Sequence, residues 1–105
     1  MATEITESNF DALVLQSSIP VLVDFSATWC GPCRVMEPVI DEMAGKYSGK
    51  CSVFKIDADE SRDTLSKYGV NVLPTFILFK NGAPAEKIIG ACPKSKIEGA
   101  VEYHL

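Results

Sequence analysis

An α/β domain, with a mixed central sheet of about five strands flanked by about four helices, is the fold class this sequence predicts. Three observations carry it. Apolar runs at 20–26 and 52–56 bracket a stretch with helical spacing, the pattern of a βαβ unit with parallel strands. The segments Thr75-Phe76-Ile77-Leu78-Phe79 and Glu86-Lys87-Ile88-Ile89 flank Asn81-Gly82, a hairpin signal that adds antiparallel pairing. The chain has 105 residues and is 47% hydrophobic, enough to bury one core without a metal or added disulfides. Residues 1–105 therefore read as a single domain.

The elements follow in order. Ser8 with Asp11 resembles a capping box, and Phe10, Leu13 and Val14 behind it suggest an opening helix. Pro20-Val21-Leu22-Val23-Asp24-Phe25 begins a strand apolar enough to be buried on both faces. Met36, Val39, Ile40, Met43 and Tyr47 recur at helical spacing and predict a helix over 32–47. Pro38 falls inside it, removes one internal hydrogen bond and should kink it. Ser52-Val53-Phe54-Lys55-Ile56 reads as the second parallel strand, and polar Asp57–Tyr68 as a short helix. The hairpin loop around Asn81-Gly82 reads as longer than two residues. Ile97, Ala100, Val101 and Leu105 form the apolar stripe of a last helix. Helices are expected on both faces of the sheet.

Charge and cysteine usage narrow the function classes. A net charge of −4 without a basic cluster argues against a nucleic-acid partner. No apolar run approaches the roughly 18 residues of a membrane span, and the start, Met1-Ala2-Thr3-Glu4, is unlike a secretory signal. A transit peptide removed before this numbering begins is compatible with both facts. Four cysteines beside a full apolar core do not make a disulfide scaffold, so a reducing intracellular compartment is expected.

Trp29-Cys30-Gly31-Pro32-Cys33 carries the chemistry. It stands where the first strand ends and the helix begins. Only an ionised sulfur attacks a disulfide, and an ordinary thiol ionises at about 8.5. Free backbone N–H groups and the positive end of the helix dipole favour an anion there. Pro32 has the backbone angle that a helix start requires. Gly31 leaves room for a bulky disulfide to approach. Cys30 should attack first, ionised and open to solvent, and Cys33 should resolve the mixed disulfide. Half of a zinc site would need a second ligand pair, but Cys51 and Cys92 are isolated and the one histidine is His104. A purely structural bridge across two residues would stabilise the fold little. Redox chemistry is favoured, with no metal.

The sequence then resembles a thioredoxin. The resemblance rests on Val23-Asp24-Phe25, Ala27, Trp29 to Cys33, Pro38, Lys55-Ile56-Asp57, Tyr68-Gly69-Val70, Leu73-Pro74-Thr75, Phe79-Lys80-Asn81-Gly82 and Gly90-Ala91. It covers nearly the whole chain in the family's order. Ile88-Ile89-Gly90-Ala91-Cys92-Pro93-Lys94 further resembles plastid m-type thioredoxins. The resemblance implies a thioredoxin fold and a protein-disulfide reductase that works by dithiol–disulfide exchange without a cofactor. It would be a monomer acting on disulfide-containing proteins. Its electrons would come from an NADPH-dependent flavoprotein reductase or a ferredoxin-dependent one. Cytoplasm or plastid stroma would house it, with the m-type features leaning to the stroma. A more oxidising oxidase or isomerase, or a non-catalytic binding module of the same fold, are the alternatives; Gly31-Pro32 resembles the reducing kind.

Roles follow from the same resemblance. A carboxylate interrupting so apolar a strand should be buried, which raises its pKa. In the family it accepts the proton of the second cysteine, here Asp24 serving Cys33; a strand-end surface aspartate is the other reading. Lys55 would tune Asp24 from the neighbouring strand, or simply be solvated. Leu73-Pro74 would be a cis bond facing the disulfide. Trp29, Gly31, Leu73, Pro74, Gly90 and Ala91 would form the docking surface, although Trp29 also reads as a core aromatic. Ser26 and Glu37 depart from the family, standing where a large aromatic and a small or apolar residue are usual, and neither is expected to touch the chemistry. Cys92 is a candidate regulatory thiol or a buried cysteine. Cys51 reads as core.

Overall fold

The computed structural model describes residues 2–105. Five strands, β1 (Thr3–Ile5), β2 (Val21–Ser26), β3 (Ser52–Asp57), β4 (Thr75–Lys80) and β5 (Ala83–Ile89), form one sheet in the order β1-β3-β2-β4-β5. β1, β2 and β3 are mutually parallel, and β4 runs antiparallel to both of its neighbours, β2 and β5. The helices are α1 (Glu7–Phe10), α2 (Gly31–Lys46), α3 (Arg62–Lys67) and α4 (Lys94–Tyr103). The described residues thus form the mixed five-strand sheet with four α-helices that the sequence predicts.

Strand periodicity decides which face each side chain serves. On β2 and β4, Val21, Val23, Phe25, Ile77 and Phe79 pack with Phe10 and Val14 from the α1 region and with Leu65 of α3. Leu22, Phe76 and Leu78 point the other way, onto Met36, Ile40 and Met43 of α2 and Ile97 and Val101 of α4. Phe25, Phe76 and Phe79 are fully buried, each contributing roughly 1.5–3 kcal/mol. Asp24 lies on Leu22's side of β2, the side that α2 covers.

Four local expectations are corrected. The polar start contains β1, a short edge strand whose Ile5 aligns with Ile56 of β3. Three residues are too few for periodicity to register. The first helix begins two residues before the expected box: the Thr6 N–H donates to Asn9 Oδ1 at 2.8 Å. It then widens into a π-helical turn over Asp11–Leu15, where the Gln16 N–H reaches back to the Asp11 carbonyl at 3.0 Å. Leu105 lies beyond α4 and is 49% exposed, so it adds nothing to that helix's apolar stripe. Pro38 lies inside α2 without ending it.

The fourth correction concerns the hairpin, whose loop is two residues, with Lys80 paired to Ala83. Asn81 and Gly82 have φ of 55° and 79°, the positive pair that a tight right-twisting hairpin requires. Pro84 hid the strand in the sequence, but β5 is an edge strand, where a missing N–H is tolerated. Gly82 is constrained twice, because a Cβ there would stand 2.8 Å from the Leu15 carbonyl oxygen. Gly82→Ala should therefore cost about 2–4 kcal/mol, combining left-handed backbone with a backbone clash. Gly49→Ala has a similar φ of 83° but open space around it, and should cost about 1 kcal/mol. Urea midpoints of the two variants check the difference.

Candidate active site

The cysteine pair sits at the start of α2. Cys30 is the last extended residue, with φ −88° and ψ 113°, and its Sγ accepts the Cys33 N–H at 3.2 Å. Gly31 and Pro32 form the first helical positions. That N–H is one of the donors a helix start leaves unpaired, and it points at sulfur. Cys30 and Cys33 are joined as a disulfide, with Cα atoms 5.3 Å apart. In this oxidised form both are buried, at 4% and 5% exposure. The expectation of an openly exposed Cys30 is thus corrected: its sulfur is reached through a groove.

Two hollows meet at the disulfide. On the Cys30 side, a groove of about 470 Å³ is lined by Trp29, Cys30, Gly31, Pro32, Leu65, Val70 and Leu73, with Asp59 at its polar edge. On the Cys33 side, a cavity of about 310 Å³ is lined by Cys33, Asp24, Ser26, Glu37, Lys55 and Asp57, among others. The first hollow is largely apolar and the second strongly charged. Each cysteine therefore faces a different environment.

Asp24 is 4% exposed, so the surface reading of this residue is excluded. Its Oδ1 is buried without a hydrogen-bond partner among the described residues. Burial pushes its pKa up to about 7; Lys55 pulls it down, and Glu37 and Asp41 add to the rise. Lys55 is the register partner of Asp24 on β3 and lines the same cavity, so it is more than a solvated strand lysine. A carboxyl whose pKa burial raises, sharing a cavity with Cys33, is suited to accept a proton from a thiol there.

Of the remaining predicted docking residues, Trp29, Gly31 and Leu73 line the groove, and Pro74, Gly90 and Ala91 do not. Trp29 is 66% exposed, against the core reading, and its Nε1–H donates to Asp59 Oδ2 at 2.8 Å. Asp59 in turn is set by its N–H, which donates to Asp57 Oδ1 at 2.8 Å. The Leu73-Pro74 bond is cis. Pro74 itself is buried, and its carbonyl accepts the Gly90 N–H at 2.8 Å. That bond ties Pro74 to the segment carrying Gly90 and Ala91. Ala91 is exposed, while Gly90 and Leu73 are half-buried.

Sequence reasoning missed Asp59, which lies 30 residues from Trp29 with no spacing to link them. It also set Glu37 apart from the chemistry, whereas the structure puts Glu37 on the Asp24 cavity. Of the free cysteines, Cys51 is buried and Cys92 half-buried. Burial pushes the Cys51 thiol up to about 11, and Cys92 packs against the α2–α4 cluster with its pKa raised by burial. A reactive thiol would be shifted the other way. Among the described residues, no group of three or more His, Cys, Asp or Glu side chains is placed to hold a metal.

Comparison with known proteins agrees with this geometry. The family model described as Thioredoxin matches residues 1–103. Thioredoxin 1 of a Nostoc species is 45% identical over 104 residues, covering 99% of this chain and 97% of that protein. The chloroplastic M-type thioredoxin of Chlamydomonas reinhardtii is 48% identical over 99% of this chain and 74% of its own length. The thioredoxin of Staphylococcus saprophyticus is 46% identical, with 97% and 96% covered.

Proposed function

Because this chain belongs to the thioredoxin family and is a protein-disulfide reductase, we propose that its two hollows divide the work of dithiol–disulfide exchange. A target disulfide settles in the groove against Trp29, Gly31 and Leu73, with Ala91 and the Pro74–Gly90 link shaping its rim. The Cys30 thiolate attacks one target sulfur, forms a mixed disulfide and releases the other target sulfur as a thiolate. Cys33 then gives its proton to Asp24 and attacks Cys30 Sγ. The Cys30–Cys33 disulfide closes and the second target sulfur leaves as a thiolate, so two electrons have passed to the target. Lys55 adjusts the affinity of Asp24 for that proton.

The single observation supporting this assignment is that Cys30 lines the apolar groove while Cys33 lines the cavity holding Asp24. Residues 1–105 act as one domain in this reading, supported by a sheet that draws strands from Thr3 to Ile89. Both reacting thiols come from one chain, which supports action as a monomer.

Family membership implies a reductase as electron donor and disulfide-bonded proteins as targets. The relatives named chloroplastic support the plastid stroma as its compartment, and those from bacteria support a cytoplasm. Insulin-disulfide reduction, driven in turn by an NADPH-dependent flavoprotein reductase and a ferredoxin-dependent reductase, tests activity and donor together. Turnover with one donor identifies the electron source. No reduction with either donor, or with dithiothreitol, overturns the assignment.

A further inference from the structure

Glu37 departs from the family pattern, and the fold places it on the cavity that holds Asp24. Cys33, Glu37 and Asp41 stand at i, i+4 and i+8 on α2, so they stack along one helix face. Cys33 and Glu37 both line the cavity into which Asp24 is buried, and Asp24 Oδ1 has no hydrogen-bond partner there among the described residues. Ser26 lines the same cavity, leaving it open where a large side chain would fill it.

We propose that Glu37 is a positioning residue for the resolving step, its negative charge acting on Asp24 through the cavity that the two residues line together with Cys33. This rests on the reading of Asp24 as the acceptor for Cys33.

The charged groups around Asp24 come from three elements. β1 contributes Glu4, β3 contributes Lys55 and Asp57, and α2 contributes Arg34, Glu37 and Asp41. Lys55 favours the ionised carboxylate, and Glu37 and Asp41 oppose it. Asp41 Oδ1 already accepts the Ala2 N–H at 2.9 Å, which gives it a structural task on the helix flank. Glu37 takes part in none of the ion pairs among the described residues, although Arg34 and Lys55 line the same cavity. It is exposed, so water screens its influence and the effect is modest.

The sign follows directly. A like charge disfavours ionisation of Asp24, so removing it lets Asp24 ionise, and accept a proton, at lower pH. Glu37→Gln should move both the carboxyl-carbon NMR titration of Asp24 and the rising limb of the pH–rate profile for insulin reduction down by a few tenths of a pH unit. At pH 6 this is roughly a twofold faster reaction. Glu37→Lys should move both further the same way, and about 0.5 M salt should shrink the shifts. Glu42→Gln, the same charge change at a residue paired with Lys94 outside the cavity, should move neither. An Asp24 titration unmoved by either Glu37 variant overturns the role of Glu37. A titration that moves while the rate profile stays fixed overturns instead the reading of Asp24 as proton acceptor, and this inference with it.

Discussion

Cys33→Ser is expected to turn the protein from a catalyst into a trap. Cys30 can still attack a target disulfide, but nothing remains to displace the target from the mixed disulfide. Turnover should fall by at least about 1,000-fold, while a covalent adduct at Cys30 accumulates. Cys30→Ser should lose turnover to a similar degree and accumulate no adduct. The asymmetry follows from geometry: Cys30 Sγ lines the apolar groove in which a target can lie, and Cys33 lines the charged cavity behind it. Intact-mass spectrometry of each variant after incubation with oxidised insulin reads the result. An adduct on Cys33 in the Cys30→Ser variant would reverse the order of attack. Partner function that survived Cys30→Ser would make docking, and not electron transfer, the task of the fold.

The parts of the molecule that were legible in the sequence are those with a strong local signature. The strand before Cys30, the helix after it and the residues between them announce themselves within 30 positions, because strand burial and helix periodicity repeat over many residues. The hairpin announced itself through Asn81-Gly82, but its length did not, since Pro84 interrupts the strand pattern at an edge where the sheet tolerates it. β1 is too short to show a period. The site was legible where chemistry needs a motif, at Cys30 and Cys33, and where a residue contradicts its surroundings, as Asp24 does in an apolar strand.

Asp59 and Glu37 escaped for a different reason. An acidic residue in a polar segment or on an outward helix face looks like ordinary solvated charge until the fold sets it beside a partner. Asp59 gains meaning from Trp29 Nε1, 2.8 Å away, and Glu37 from a cavity whose far wall is β2. Such relations cross elements, and one-dimensional spacing cannot carry them.

Asp24→Asn is expected to make the protein more stable and less active at once. In the unfolded chain Asp24 ionises near 3.8, while in the fold burial delays this to about 7. Between those values the folded state binds more protons than the unfolded state, so wild-type stability falls as pH rises through the window and is level above it. An interval of roughly 3 pH units at about 1.4 kcal/mol each gives an upper bound of about 4 kcal/mol. Asparagine never ionises but still buries a polar amide, so a gain of about 2–4 kcal/mol at pH 8 is expected, equivalent to a rise in Tm of roughly 10–20 °C. The gain should vanish below pH 4, where both proteins are neutral at this position. Reduction of insulin near pH 7 should slow by at least about tenfold, as expected on removing a proton acceptor, and the pH–rate profile should lose the part of its rise that Asp24 supplies, leaving that of Cys30 ionisation. Thermal melts of the oxidised protein from pH 4 to 8 and matching rate profiles check both halves. A stability difference that does not change with pH would mean the carboxyl is ionised in the fold. A pH–rate profile left intact would take the proton of Cys33 elsewhere. The same burial that makes Asp24 a base near neutrality is what destabilises the fold above that pH, so the two effects should appear together or not at all.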